Sequence, residues 1–141
     1  MASTRVSASI IVFKSEPVDY QKYRHTALFF EFEDGQPAVY IHATGTQRDF
    51  SVEQREGYNP RSSRQYVKQV EVGWLGVAMT RAHLISCAWK IGPDNESYEY
   101  NCHSWVQEVL SSFQRLGYLS LATYKAALDG MIEGTLEAAD D

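Results

Sequence analysis

Cys102 stands in the run Tyr100-Asn101-Cys102-His103-Ser104-Trp105-Val106, at the expected first turn of an amphipathic helix with Asn101 as its N-cap. Helix N-termini favour anions, which eases a thiol there toward thiolate. Two histidines lie far upstream, His25 in Tyr23-Arg24-His25-Thr26-Ala27-Leu28 and His42 in Val39-Tyr40-Ile41-His42-Ala43. Both segments read as strands, and adjacent strands bring two such rings together, one as base and the other as the group that orients it. The simplest assignment makes Cys102 the nucleophile, His25 the base and His42 the orienting residue. Tyr23 shares a strand face with His25, where its hydroxyl either donates to an oxyanion or packs. The first-turn N–H groups of the helix also aim at a developing oxyanion. A plainer reading stands beside this one. Cys102 lies on the apolar stripe of its helix, and buried free cysteine commonly serves as a small hydrophobe. A strand histidine is commonly a hydrogen-bonded core residue. Residue types and spacing alone leave both readings open.

Other chemistry has less support. His83 and Cys87 are four apart on an expected helix and, with Cys102 and His103, would complete a Cys2His2 set for zinc. No CxxC or HxxxH pair accompanies them, so neither a metal nor any cofactor is expected, and His83 and His103 read as surface or boundary residues. The tryptophans Trp74, Trp89 and Trp105 read as core. The chain has no GxSxG, no Walker-type loop and no GxGxxG, which leaves serine-hydrolase, nucleotide and dinucleotide chemistry without a motif.

The elements that must position these residues follow from periodicity. Ser7–Lys14, Tyr23–Glu33, Ala38–Thr44, Asp49–Tyr58 and Gln65–Val72 are expected strands. The fourth is weak, because Glu53-Gln54-Arg55-Glu56 is a polar run. Asp34-Gly35-Gln36-Pro37 turns the second strand into the third, so residues 23–44 form a hairpin on which Ala38, Tyr40 and His42 share a face. From Gly76 to Lys90 the period becomes helical, with Val77, Leu84, Ile85 and Ala88 on one side. Cys102, Trp105, Val106, Val109, Leu110, Phe113 and Leu116 make one full helical stripe, ended by Gly117 as a C-terminal cap. That stripe should turn Cys102 toward the hairpin and its histidines. Ser120 starts a third helix, whose end Gly130 and Gly134 weaken. Strands first and helices after predict a single α+β domain over residues 1–141, with an antiparallel sheet of about five strands packed against about three helices.

Composition narrows the setting. A chain of 141 residues, 44% hydrophobic and 22% charged, suits one soluble domain, and 13% aromatic content argues against disorder. A net charge of −5 and one sparse basic cluster, Arg61, Arg64 and Lys68, argue against nucleic acid as a partner. No leader-like apolar run and no stretch near the ~18 apolar residues of a membrane span occurs. The expectation is a reduced, cytoplasmic protein without a stable membrane anchor or a structural disulfide, acting on a small-molecule or peptide substrate.

The motifs around Tyr23-x-His25-x-Ala27-Leu28, the apolar-His42-apolar step and Asn101-Cys102-x-x-Trp105-Val106, in that order, resemble the circularly permuted papain-like group. This group includes the lecithin:retinol acyltransferase-like proteins, the small phospholipase/acyltransferases, the PPPDE isopeptidases and, in unpermuted order, the NlpC-type peptidases. Small fungal proteins carry a similar Asn-Cys-x-x-Trp-Val signature. The resemblance covers roughly residues 20–45 and 98–117. It implies a permuted papain-like fold with Cys102 as nucleophile, His25 as general base, His42 as polarising third residue and Tyr23 as an oxyanion donor. It also implies a thioester intermediate resolved by water, an alcohol or an amine: a hydrolase or acyltransferase acting on an ester, thioester or amide. A thiol-dependent cyclase of a small metabolite and a catalytically silent binding module are the other uses of such a scaffold. The His25-to-His42 hairpin is longer than in the acyltransferase members, no proline follows His42, and no hydrophobic tail is found, which argues against lipid substrates.

Overall fold

Val6–Phe13 (β1) alternates small and β-branched residues and is buried along nearly its whole length on both faces, as a central strand must be. The computed structural model describes residues 2–15, 19, 24–46, 48–97 and 101–138. In it β1 pairs antiparallel with His25–Phe32 (β2), from Val6 opposite Phe32 to Phe13 opposite His25. On its other side β1 pairs with Tyr66–Trp74 (β5). Val39–Thr46 (β3) continues the sheet beside β2, with Phe29 opposite Tyr40, and Asp49–Glu56 (β4) closes that side. The order is β4-β3-β2-β1-β5, every pairing antiparallel. Three helices follow, Arg81–Trp89 (α1), Cys102–Arg115 (α2) and Leu121–Leu136 (α3). The chain is an α+β domain with a five-stranded antiparallel sheet and three helices.

Helix α2 lies on β2 and β3, and α3 on β5 and β1. The α2 stripe Trp105, Val106, Val109, Leu110 and Phe113 is fully buried against Leu28, Phe30, Val39 and Ile41. The opposite face of the sheet holds a second apolar cluster, Ile11, Phe13, Ala27, Phe29 and Tyr40, joined by Tyr58 and Tyr66. Both faces of β2 are therefore covered. The C-terminal end of α2 closes as a Schellman motif: Tyr118 N–H donates to Phe113 C=O at 2.8 Å and Gly117 N–H to Gln114 C=O at 3.1 Å, with Gly117 at φ +83°.

Several expectations change. The helix expected from Gly76 starts only at Arg81. Met79 N–H and C=O exchange hydrogen bonds with Thr4 at 3.0 and 2.9 Å, which holds that backbone extended, and Thr80 Oγ1 then caps the helix by accepting from His83 N–H. The polar run that weakened the expectation for β4 lies on a strand at the sheet edge, where charged residues are the usual occupants. Gly130 and Gly134 lie inside α3 rather than fraying it. A Cβ at Gly130 would sit 2.6 Å from Val70 Cγ1 and one at Gly134 3.1 Å from Val12 Cγ2, so both let the helix approach the sheet closely.

Of the tryptophans only Trp105 is core. Trp74 is 47% exposed beneath the Arg5 guanidinium, 4.3 Å from the ring centre. Trp89 is 44% exposed and donates Nε1–H to Gln54 Oε1 at 2.7 Å. Trp105 is sealed and donates to Ile91 C=O at 2.8 Å. Trp105→Ala is expected to cost about 3–5 kcal/mol in urea unfolding. Trp89→Ala is expected to cost only about 0.5–1.5 kcal/mol, the worth of its hydrogen bond. Equal losses would contradict this division of the core.

Candidate functional site

Asn101 sets the site from the helix side. Its Oδ1 accepts from His103 N–H at 2.9 Å and Ser104 N–H at 3.1 Å, and Ser104 Oγ accepts from Asn101 N–H at 3.2 Å, a reciprocal capping box. The cap consumes two of the first-turn donors. Cys102 N–H is left out of the cap and faces its own sulfur at the start of the helix.

Cys102 is buried but belongs to neither apolar cluster. Its Sγ donates to Arg24 C=O at 3.8 Å and lies 3.9 Å from His103 Nδ1. It thus sits at the rim of the sheet, where β2 begins, rather than within the helix–sheet interface. Arg24 holds that rim in place. Its buried guanidinium donates to Asp19 Oδ1 at 3.0 Å, to Asp19 Oδ2 at 2.6 Å and to Gly134 C=O at 2.5 Å, tying the start of β2 to α3. The Arg24 hydrogen bond holds the Asp19 carboxyl below its ordinary range.

His25 and His42 meet, with His25 Nε2 2.6 Å from His42 Nδ1. They project from the sheet face opposite the helices, the face of Phe29 and Tyr40, as two-residue alternation requires. Phe13 stacks on His25 with ring centres 5.8 Å apart. The route from Cys102 to these rings is therefore around the end of β2, not across the stripe of α2. Among the described residues no hydrogen bond joins Cys102 Sγ to His25 or His42. Tyr23 lies outside the described residues.

Four neighbours were not singled out as site residues from sequence. Tyr40 hydroxyl is 3.3 Å from His42 Nδ1; its signal was the shared face two residues away. Glu53 Oε1 is 3.3 Å from His42 Nε2, because the β3–β4 register puts the two residues opposite each other. Thr26 Oγ1 is 2.8 Å from His103 Nδ1. His103, expected at the surface or boundary, is a half-buried boundary residue between Thr26 and Cys102, with its Nε2 buried and unpartnered. One step beyond Cys102, it falls off the apolar stripe, so periodicity carried no sign of it.

Burial dominates the electrostatics. It pushes His25 down to about 3, helped by His42 and His103, and His103 down to about 4. His42 is lowered by burial and by Arg55, against the pull of Glu53. The Cys102 thiol is pushed up by burial, while hydrogen bonds from Thr26 and from the helix N–H groups of Cys102 and His103 oppose the rise. Tyr40 is raised by burial first, then by Tyr58, with Cys102 contributing. At neutral pH the thiol and all three imidazoles are uncharged.

Cys87 Sγ lies 3.5 Å from His83 Nε2, which is 3.2 Å from Tyr118 hydroxyl. This group does not join Cys102 and His103: among the described residues no three His, Cys, Asp or Glu side chains converge as a metal site. Both cysteines are free. No described helix is long and apolar enough to cross a membrane.

The model of a family of unknown function, DUF6540, matches residues 12–120. The chain belongs to this family. The matched span holds His25, His42, Glu53, Cys102 and His103, and ends just before α3. No curated protein and no solved structure matches the chain.

The histidines also set the acid response. Folded His25, His42 and His103 all titrate below the ordinary value of 6.5, so the unfolded chain takes up protons first as pH falls. Stability is retained above pH 6.5 and lost as pH drops toward about 4 for His103 and about 3 for His25. Melting temperatures between about pH 8 and about pH 4.5 should fall less steeply for His103→Gln than for the parent chain. Identical slopes would show that His103 is not the buried neutral group described.

Proposed function

We propose that the protein is a thiol-dependent acyl hydrolase or acyltransferase on a permuted papain-like scaffold, acting on an ester, thioester or amide. The observation that carries this reading is the placement of Cys102 at the capped start of a 14-residue helix, its sulfur against the Arg24 carbonyl that immediately precedes the His25–His42 pair. The order His25, His42, Cys102 and the strand, strand, helix-start setting of the three agree with the motif resemblance.

The chemistry follows from neutral partners. The Cys102 proton passes to His25 as sulfur attacks the acyl carbon, and His42 stabilises the imidazolium. The oxyanion meets the Cys102 N–H, which lies outside the Asn101 cap at the positive end of α2. Collapse expels the leaving group, which takes the proton from His25 and leaves a thioester on Cys102. Water, an alcohol or an amine then attacks the thioester, giving its proton to His25, which returns it to the departing sulfur. Because burial keeps the resting thiol protonated, proton transfer is coupled to substrate binding rather than stored as a standing ion pair.

Short incubation with p-nitrophenyl acetate, followed by intact-protein mass spectrometry, is expected to add one acetyl group, mapped to Cys102. Cys102→Ala is expected to abolish the adduct and cut turnover about 10³-fold or more, and His25→Ala to cut it about 10²–10⁴-fold. Acetylation of Cys87 instead, or turnover unchanged in Cys102→Ala, would refute the proposal. One observation favours a second reading, a silent binding module: the thiol engages a backbone carbonyl rather than His25 or His42. That reading requires no thioester with any acyl donor, together with undiminished ligand binding by Cys102→Ala.

A further inference from the structure

The hydrogen bonds around the two histidines run in one direction, and the group at their end decides that direction. Glu53 Oε1 lies 3.3 Å from His42 Nε2, His42 Nδ1 lies 2.6 Å from His25 Nε2, and Tyr40 hydroxyl reaches the same His42 Nδ1 at 3.3 Å. A carboxylate only accepts, while a neutral imidazole donates from one nitrogen and accepts at the other. With Glu53 at its Nε2, the single proton of His42 belongs on Nε2, which makes Nδ1 the acceptor. His25 must then carry its own proton on Nε2 to donate to it, and Tyr40 donates to the same lone pair. The remaining lone pair of the chain is His25 Nδ1.

We propose that Glu53 is the positioning residue of this site: by accepting from His42 Nε2–H it sets the tautomers of both rings and leaves His25 Nδ1 as the atom that receives a proton. The order of the tautomers stands on hydrogen bonding alone. Only the use of His25 Nδ1 as a base rests on the thiol-acyl reading above. The arrangement is local to the sheet edge. β4 supplies Glu53 and Arg55, β3 supplies Tyr40, β2 supplies His25, and α2 brings His103 and Cys102 into the field of His25 and Tyr40. Arg55 lies over the Tyr58 ring, 5.1 Å from its centre, and opposes Glu53 at His42. Glu53 is the one carboxylate hydrogen-bonded to either ring among the described residues. It comes from directly across the β3–β4 ladder, so its backbone position is fixed even though its side chain is half-exposed.

The test uses the full chain and reads the rings directly. Long-range proton–nitrogen NMR spectra distinguish Nδ1–H from Nε2–H imidazole, with His83→Gln and His103→Gln simplifying the assignment. The native protein is expected to show Nε2–H on both His25 and His42. Glu53→Gln, which still offers an acceptor, is expected to keep that pattern. Glu53→Lys presents a donor instead and is expected to move both rings to Nδ1–H. An Nδ1–H form of either ring in the native protein, or no change in Glu53→Lys, would overturn the proposal. In parallel, Cys102 acetylation by p-nitrophenyl acetate is expected to slow by about tenfold to a hundredfold in Glu53→Ala, the usual scale for losing an outer partner of a functional histidine, with KM unchanged and recovery in Glu53→Gln. Equal rates in Glu53→Ala and the native chain would also overturn it. Native tautomers as stated with no acetylation of Cys102 at all would refute the thiol-acyl function and leave the role of Glu53 in ordering the rings intact.

Discussion

Strand β2 is buried on both faces, and the site depends on that. One face, with Leu28 and Phe30, is covered by α2; the other, with Ala27 and Phe29, lies in the cluster with Tyr40, Tyr58 and Tyr66. A strand in this position must put successive side chains into two separate cores. At its first residues those cores open onto the same rim. Thr26 therefore reaches His103 on the helix side while His25 reaches His42 on the other. Cys102, at the end of α2 and outside both clusters, meets the strand at the backbone of Arg24.

The same burial explains the charge state. Removing imidazoles and a thiol from water disfavours their charged forms, and neither His25 nor His103 has a carboxylate hydrogen-bonded to it among the described residues. Glu53 touches only the outer ring, His42. A site built this way rests neutral. Its polarity then comes from fixed groups: the N–H groups at the start of α2, the directed chain Glu53–His42–His25, and the buried Arg24 anchored on Asp19 and Gly134. The Arg24 anchor also links the rim to α3, which packs on β5 and on β1, the strand next to β2.

Much of this was legible in the residues because it is periodic or local. The five strands, the α2 stripe, its Asn101 cap and its Gly117 stop are properties of a few neighbouring residues, and each was readable without the rest. The shared face of Tyr40 and His42 followed from alternation. What failed did so where a long-range contact outranked local preference. Residues before Arg81 are extended because Met79 pairs with Thr4. Trp89 is half-exposed because its indole nitrogen finds Gln54 on the edge strand. Gly130 and Gly134 make room for Val70 and Val12, which helix propensity alone cannot express.

Cys102, His25 and His42 were marked by the sequence itself, since a cysteine at a helix start and two histidines on neighbouring strands are patterns of type and spacing. Their route to one another was decided by tertiary structure. The apolar stripe pointed Cys102 into the helix–sheet interface, whereas the packing of α2 on β2 and β3 brings its sulfur to the Arg24 carbonyl at the rim, with the histidines on the opposite face. His103 and Glu53 became visible only there. A residue one step off a stripe, and another in a polar run, gain meaning from what the packing of α2 and the register of β4 place beside them.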